Sequence, residues 1–253
     1  MVTKEIFKKS ALPVGVAVFW IFLWQLLALL VNDPYFLPSP IDTLAELWRL
    51  FTLEKFYRVI LFTFLRVLAG LASGIVFGCA LAILCHKAPI VTRFVSPLLT
   101  VIKAMPVATF IVMLLFTISS NGLTVFIGFL MVLPIVFQNV MDGFGAISKN
   151  LSEVCDLFEL SAGRRFRVLT LPTLLRYLAP AVITSIGLAF KSQVAVEIII
   201  YAKDSIGAYM FDAKYNLNTP EVFAWASVVV TFSLLLEFVT KKLLGRFKKC
   251  ACQ

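Results

Sequence analysis

An all-α protein that crosses a membrane six times is predicted by three features of the sequence: its apolar excess, the length of its apolar runs and the placement of its basic residues. Of 253 residues, 60% are hydrophobic and 15% charged, with a mean hydropathy of +0.96, whereas a soluble domain holds about 45–50% apolar and about 25% charged residues. Apolar runs close to the ~20 residues that cross a hydrocarbon core fall at 11–31, 59–85, 94–118, 123–141, 178–201 and 222–239. Lys and Arg resist translocation, so their distribution sets orientation. With both termini inside, fifteen of the 23 basic residues are cytoplasmic, five lie outside (Arg49, Lys55, Arg58, Lys203, Lys214) and three lie within spans (Arg66, Lys103, Lys191). The formal net charge of +9 therefore reads as membrane topology and lipid contact, not as a nucleic-acid footprint.

The first run follows Lys4, Lys8 and Lys9 as a signal peptide would. It is too long for the apolar core of one and no small-x-small cleavage site follows, so it is read as a membrane anchor. Outside it, "NDPYFLPSPIDTLAELWRLFTLEKFYR" contains three prolines that break a continuous helix. After Pro40, Ile41, Leu44, Leu47, Trp48 and Phe51 recur at helical spacing, which predicts an amphipathic helix along the outer surface.

The second span carries Gly70, Gly74, Gly78 and Ala82 at intervals of four, a stripe on which another helix can approach closely. In the third span Pro97 and Pro106, and in the fourth Pro134, each remove a backbone hydrogen bond. Such breaks serve either as kinks or as walls of a polar cavity.

Between the fourth and fifth spans, 142–177 forms a polar cytoplasmic loop containing "NLSEVCDLFELSAGRRFRVLTLP". Asn150 and Glu153 have capping-box spacing, which predicts a helix from Leu151 to about Leu160 with Val154, Leu157, Phe158 and Ser161 on one face, ended at Gly163. Two arrangements satisfy that apolar face: a socket on another protein, or the inner leaflet with the arginines on anionic headgroups.

The fifth span is the most polar. Lys191, Gln193 and Glu197 lie on it, with Lys103, Met105 and Pro106 on the third. Intramembrane charges either pair between helices or line a route for solute; both readings stand for Lys191 and Glu197, which are too far apart in register to share a face. An ion-coupled secondary transporter or channel subunit is the alternative class these charges allow. Catalysis finds no support: there is no G-x-x-x-x-G-K-[ST], G-x-S-x-G or H-E-x-x-H, and the one histidine, His86, sits beside Lys87 at a helix end. Cys79, Cys85 and Cys155 lie in spans or on the inner face, where thiols stay reduced. The tail cysteines Cys250 and Cys252 have no histidine or carboxylate beside them to complete a metal site.

The loop spacing, Glu153, position 159, Leu169 and Leu171-Pro172, resembles the E-A-A-x3-G-x9-I-x-L-P motif of permease subunits of binding-protein-dependent ABC importers. Further blocks resemble the nitrate, sulfonate and taurine branch in order along the chain: "FLPSP", "TFLRVLAGLASGIVFGCALA", "PLLTVIKAMPVA", "LPIVFQNVMDG" and "AVEIIIYAKDSIGAYM". The resemblance implies a type I importer-like transmembrane domain spanning 1–253, in the cell membrane of a prokaryote. It implies that 151–162 is a coupling helix, with Glu153, Val154, Asp156, Leu157, Phe158, Glu159, Leu160 and Gly163 against an ATP-hydrolysing subunit. Two copies of that ATPase would hold the ATP and Mg, this chain binding no cofactor and no metal. A second permease chain, as a homodimer, and an extracytoplasmic substrate-binding protein complete the implied assembly, which would carry a small anionic or polar solute. Val154 and Cys155 replace the motif's two alanines and Glu159 its glycine. Because Glu is a good helix former, the turn is expected to be displaced from 159 to Gly163.

Overall fold

The computed structural model describes residues 2–250, with side chains for 15–243; the tail pair Cys250 and Cys252 and the N-terminal lysines fall outside the side chains described. Among the described residues every regular element is helical. The helices are α1 (Val2–Val31), α2 (Pro40–Phe51), α3 (Glu54–Lys87), α4 (Pro89–Ala104), α5 (Val107–Leu114), α6 (Ser120–Gly145), α7 (Lys149–Leu157), α8 (Ala162–Arg165), α9 (Leu171–Ile199), α10 (Ile206–Tyr215) and α11 (Thr219–Cys250), with a π-helical turn at Phe166–Thr170 joining α8 to α9. Among the described residues four helical stretches are long and apolar enough to cross a membrane: α3, α6, the continuous run Ala162–Ile199 and Thr219–Leu243 of α11. Gly15–Val31 of α1 supplies a shorter apolar helix where the first span is expected.

The third span departs from expectation. In place of one run over 94–118, α4 and α5 meet at a 102° bend. Pro106 causes it: the ring blocks the helical conformation for the residue before it, and Met105 is extended at φ −77°, ψ 133°. Pro97, Pro134 and Pro180 are instead absorbed inside α4, α6 and α9. The fifth span also differs, since its helix begins well before the expected residue 178 and draws half of the polar loop into the same rod.

The main core lies where α3, α6 and α9 pack, with Val67, Ile111, Leu123, Ile127, Val132, Val136 and Ala189 wholly buried. The glycine stripe forms the α3–α6 seam. A Cβ on Gly74 would stand 2.6 Å from Val132 Cβ, and one on Gly78 3.0 Å from the Leu133 carbonyl oxygen. A second cluster caps one end of the bundle, where Leu50 of α2, Phe56 and Val59 of α3, Ile206 of α10 and Trp225 of α11 meet. Helix α2 starts where Ser39 caps it: Asp42 N donates to Ser39 Oγ at 3.1 Å, Ser39 N donates back to Asp42 Oδ2 at 3.2 Å, and Pro40 fills the first turn. Its outward face, Ile41, Leu44 and Trp48, is exposed, as the periodicity predicts.

Candidate functional site

Helix α7 stands apart from the bundle. It begins two residues earlier than the capping-box reading requires: Ser148 is the N-cap, accepting from Leu151 N at 3.5 Å, and Asn150 lies inside the helix. It also ends earlier, at Leu157, so Ser161 does not share its face but caps α8.

The C-terminus of α7 corrects the expectation for Glu159. Glu159 itself adopts the left-handed conformation, φ 46°, and Gly163 lies within α8. Around Glu159 the backbone closes as a Schellman motif: Leu160 N donates to the Cys155 carbonyl and Glu159 N to that of Asp156, both at 3.0 Å. The orphan carbonyls at the helix end require that geometry whatever residue supplies it, so the turn stays where the family motif has glycine. A left-handed non-glycine residue costs about 1–2 kcal/mol. The fold accepts the same strain at Tyr201 (φ 49°) and Leu217 (φ 57°), where Ala202 N and Asn218 N make the equivalent bonds to Glu197 and Ala213. Glu159→Gly is therefore expected to stabilise the turn by about 0.5–1 kcal/mol once the added chain entropy of glycine is subtracted. Slower amide exchange at Leu160 would register it.

Arg165 fixes how α7 is presented. Its Nη1 donates to Asp156 Oδ1 at 2.6 Å and its Nη2 to Ser152 Oγ, tying α8 back across the turn. Cys155 is the one buried residue of α7. Leu157 is 81% and Phe158 75% exposed, and Val154 and Leu151 are also exposed. Glu153, Asp156 and Glu159 are solvent-facing as well, while Leu160 is half-buried. The outcome is an apolar knob with an acidic fringe, tied to α8 through Arg165 and left uncovered by the described residues. Sequence reasoning finds the knob but not its brace, because Arg165 pairs with Asp156 across a turn whose position was misjudged.

The residues singled out on the spans separate into two groups. Lys103, Pro106 and Lys191 are exposed on the monomer and Met105 is half-buried at the α4–α5 bend. Gln193 and Glu197 are wholly buried. Glu197 accepts from Thr63 Oγ1 at 3.0 Å, from Arg66 Nη1 at 3.3 Å and from Gly207 N at 3.3 Å. It therefore locks α3, α9 and α10 together where α9 ends, paired with Arg66 and not with Lys191. A Cβ on Gly207 would stand 2.3 Å from Glu197 Cβ, so glycine is what lets α10 reach the carboxylate. Gln193 fills the α3–α6–α9 junction, where a Cβ on Gly70 or Gly128 would overlap its amide. Its Nε2 and Oε1 make no hydrogen bond among the described residues. Thr63, Arg66 and Gly207 were not singled out from sequence as partners, since a contact between positions more than a hundred residues apart leaves no local pattern. His86 stacks on Phe144 with ring centroids 3.9 Å apart, and Glu237 pairs with Lys241 at 3.3 Å. Among the described residues no cluster of His, Cys, Asp and Glu has the makings of a metal site.

Residues 74–249 match the protein family described as "Binding-protein-dependent transport system inner membrane component". The chain is 23% identical over 216 residues to a nitrate import permease protein of Synechococcus elongatus, covering 81% of this chain and 75% of that one. It is 21% identical over 173 residues to a bicarbonate transport system permease protein of a Synechocystis species, covering 68% and 62%. A probable ABC transporter permease protein of Haemophilus influenzae is 26% identical over 248 residues, covering 94% and 96%. The fold is similar to that of a chain in the crystal structure of an amino acid ABC transporter with histidines, with a TM-score of 0.60 at 14% identity over 77% of this chain and 92% of that one.

Proposed function

Because the chain belongs to the inner-membrane components of binding-protein-dependent transport systems and is thus an ABC importer permease, we propose that α7 is the site at which a separate ATPase drives it. The observation that carries this reading is the exposed pair Leu157 and Phe158 at the tip of a short helix braced by Arg165. Two permease copies pair, each seats its α7 in one ATPase subunit, and ATP with Mg is held by those subunits. When the ATPases close, α7 moves with them, and α8, continuous through the π turn with α9, carries the displacement into the bundle. The outer elements α2 and α10 receive the binding protein. The cargo is a small anion, supported by the named relatives for nitrate and bicarbonate.

Both termini and α7 are cytoplasmic in this reading, on the distribution of Lys and Arg. In intact cells, a single cysteine replacing Ser148 is expected to resist an impermeant maleimide while one replacing Asn216 reacts. In the isolated complex, Leu157→Cys is expected to crosslink to the ATPase subunit through a short bismaleimide. Labelling at Ser148 with protection at Asn216 would reverse the orientation, and absence of the crosslink in an assembled complex would move the docking site elsewhere.

A further inference from the structure

Beside the Arg66–Glu197 pair, a cavity of about 470 Å³ opens between α3, α6 and the turn that follows α9, lined by Phe62, Leu65, Arg66, Asn121, Lys203 and Asp204 among others. None of these polar groups was assigned to solute above. Their arrangement is asymmetric in charge. Arg66 has five N–H donors; Nη1 gives one to Glu197 at 3.3 Å, and Nη2 gives its two to Asn121 Oδ1 at 2.9 Å and the Lys203 carbonyl at 3.1 Å. The Nε hydrogen and one Nη1 hydrogen have no acceptor among the described residues. The Arg66 side chain is only 13% exposed, so these donors are fixed rather than freely hydrated. Asp204, the carboxylate on the rim, is turned to Arg58 at 3.4 Å. Lys203 has no carboxylate within ion-pair distance among the described residues. The lining thus holds two cations, Arg66 and Lys203, and one carboxylate, Asp204; Arg66 and Asp204 are each paired with a charge behind the wall, Glu197 and Arg58, which leaves the charge of Lys203 unbalanced, with apolar walls from Phe62 and Leu65 that strengthen its field.

Acyl chains do not occupy a cavity carrying such groups at the end of a span. Its size is that of a small-molecule site, and its few convergent donors on apolar walls are the usual lining of one. We propose that this cavity binds a small anion through Arg66 and Lys203, with Asn121 holding the guanidinium in place, and that it is the outermost stop for the anion entering the membrane. The place of this stop on a transport route rests on the permease reading above; the binding itself does not.

The test uses the full chain in lipid nanodiscs, following its melting temperature as sodium nitrate replaces sodium gluconate at constant ionic strength. A ligand that binds only the folded state stabilises it in a saturable manner. Nitrate is expected to raise the melting temperature of the wild type to a plateau. Asn121→Asp leaves an acceptor for Arg66 Nη2 but adds a negative charge to the cavity, and is expected to weaken the apparent nitrate affinity at least about tenfold. Lys203→Gln should weaken it by a similar factor, with Lys203→Arg restoring it. No saturable rise in the wild type, or an equal rise in Asn121→Asp and Lys203→Gln, overturns the proposal; the latter marks a general salt effect. Should Asn121→Asp fail to fold, the two Lys203 variants decide alone. Failure of the chain to assemble with an ATPase would remove the transport route while leaving the nitrate result standing.

Discussion

Phe158→Asp is expected to leave the spans inserted and folded while abolishing co-purification of the ATPase subunit and the ATP hydrolysis that a loaded binding protein stimulates. Phe158 is 75% exposed and Leu157 81%, so neither supports the fold of the isolated chain, and removing one creates no cavity. In a docked complex each would bury its side chain for about 1.5–3 kcal/mol, and a carboxylate in the same socket loses that burial and adds a desolvation cost of several kcal/mol. Every 1.4 kcal/mol is tenfold in affinity, so the combined loss exceeds a thousandfold, enough to empty the complex at ordinary concentrations. Phe158→Leu keeps an apolar anchor and is expected to retain assembly. A helix lying on the inner leaflet would behave otherwise: aspartate would loosen its lipid contact while the subunits still co-purified. Assembly and stimulated hydrolysis at wild-type level in Phe158→Asp would show that the anchor is not at this residue.

The contrast between what was and was not legible follows the range of the interactions. Period and run length are local, so the apolar segments, the exposed face of α2 and the glycine stripe of α3 are readable from spacing alone. The exposed knob at Leu157 and Phe158 is equally local, because an apolar pair next to Asp156 and Glu159 stands out in a polar loop. The turn after it was misplaced because helix propensity was weighed above the needs of the helix end. Propensity differences among ordinary residues are at most about 0.7 kcal/mol, whereas carbonyls left unpaired at a helix terminus cost more, so the backbone imposes a left-handed residue on Glu159 regardless. Pairings such as Glu197 with Arg66 and Gly207 were illegible for a different reason. Arg66 lies on α3 and Gly207 opens α10, and only packing brings both to the end of α9. The cavity at Arg66, Asn121 and Lys203 exists only after that packing, which is why the three are not legible together as a site: Arg66 reads from sequence only as an intramembrane charge near a helix end, while Lys191 and Lys103, exposed in the structure, stand out as pathway candidates.

Gly74→Leu is expected to remove most of the folded, detergent-stable protein. In lipid no hydrophobic force draws helices together, so α3 and α6 are held by close dispersion contact along the glycine stripe. The first carbon of any side chain at position 74 would lie 2.6 Å from Val132 Cβ, 2.8 Å from its Cγ1 and 3.2 Å from the Phe129 carbonyl oxygen. Val132 is wholly buried in the main core and its β-branched side chain has one preferred rotamer in a helix, so it cannot turn aside. The helices must separate instead, and a gap of 0.5–1 Å already forfeits about a quarter to a half of each contact across it. Overpacking by a few methylenes costs on the order of 1–3 kcal/mol, and leucine adds a branched group beyond the first clash, placing the effect at the upper end or above. Gly74→Ala should cost less, and Val132→Ala combined with it should recover part of the loss, since removing the two Val132 methyls vacates the space the new carbon enters. That recovery separates a steric cause from a loss of helix insertion, which a change at Val132 would not repair. Yield and melting behaviour equal to wild type in Gly74→Leu would mean that the two backbones do not meet at this stripe.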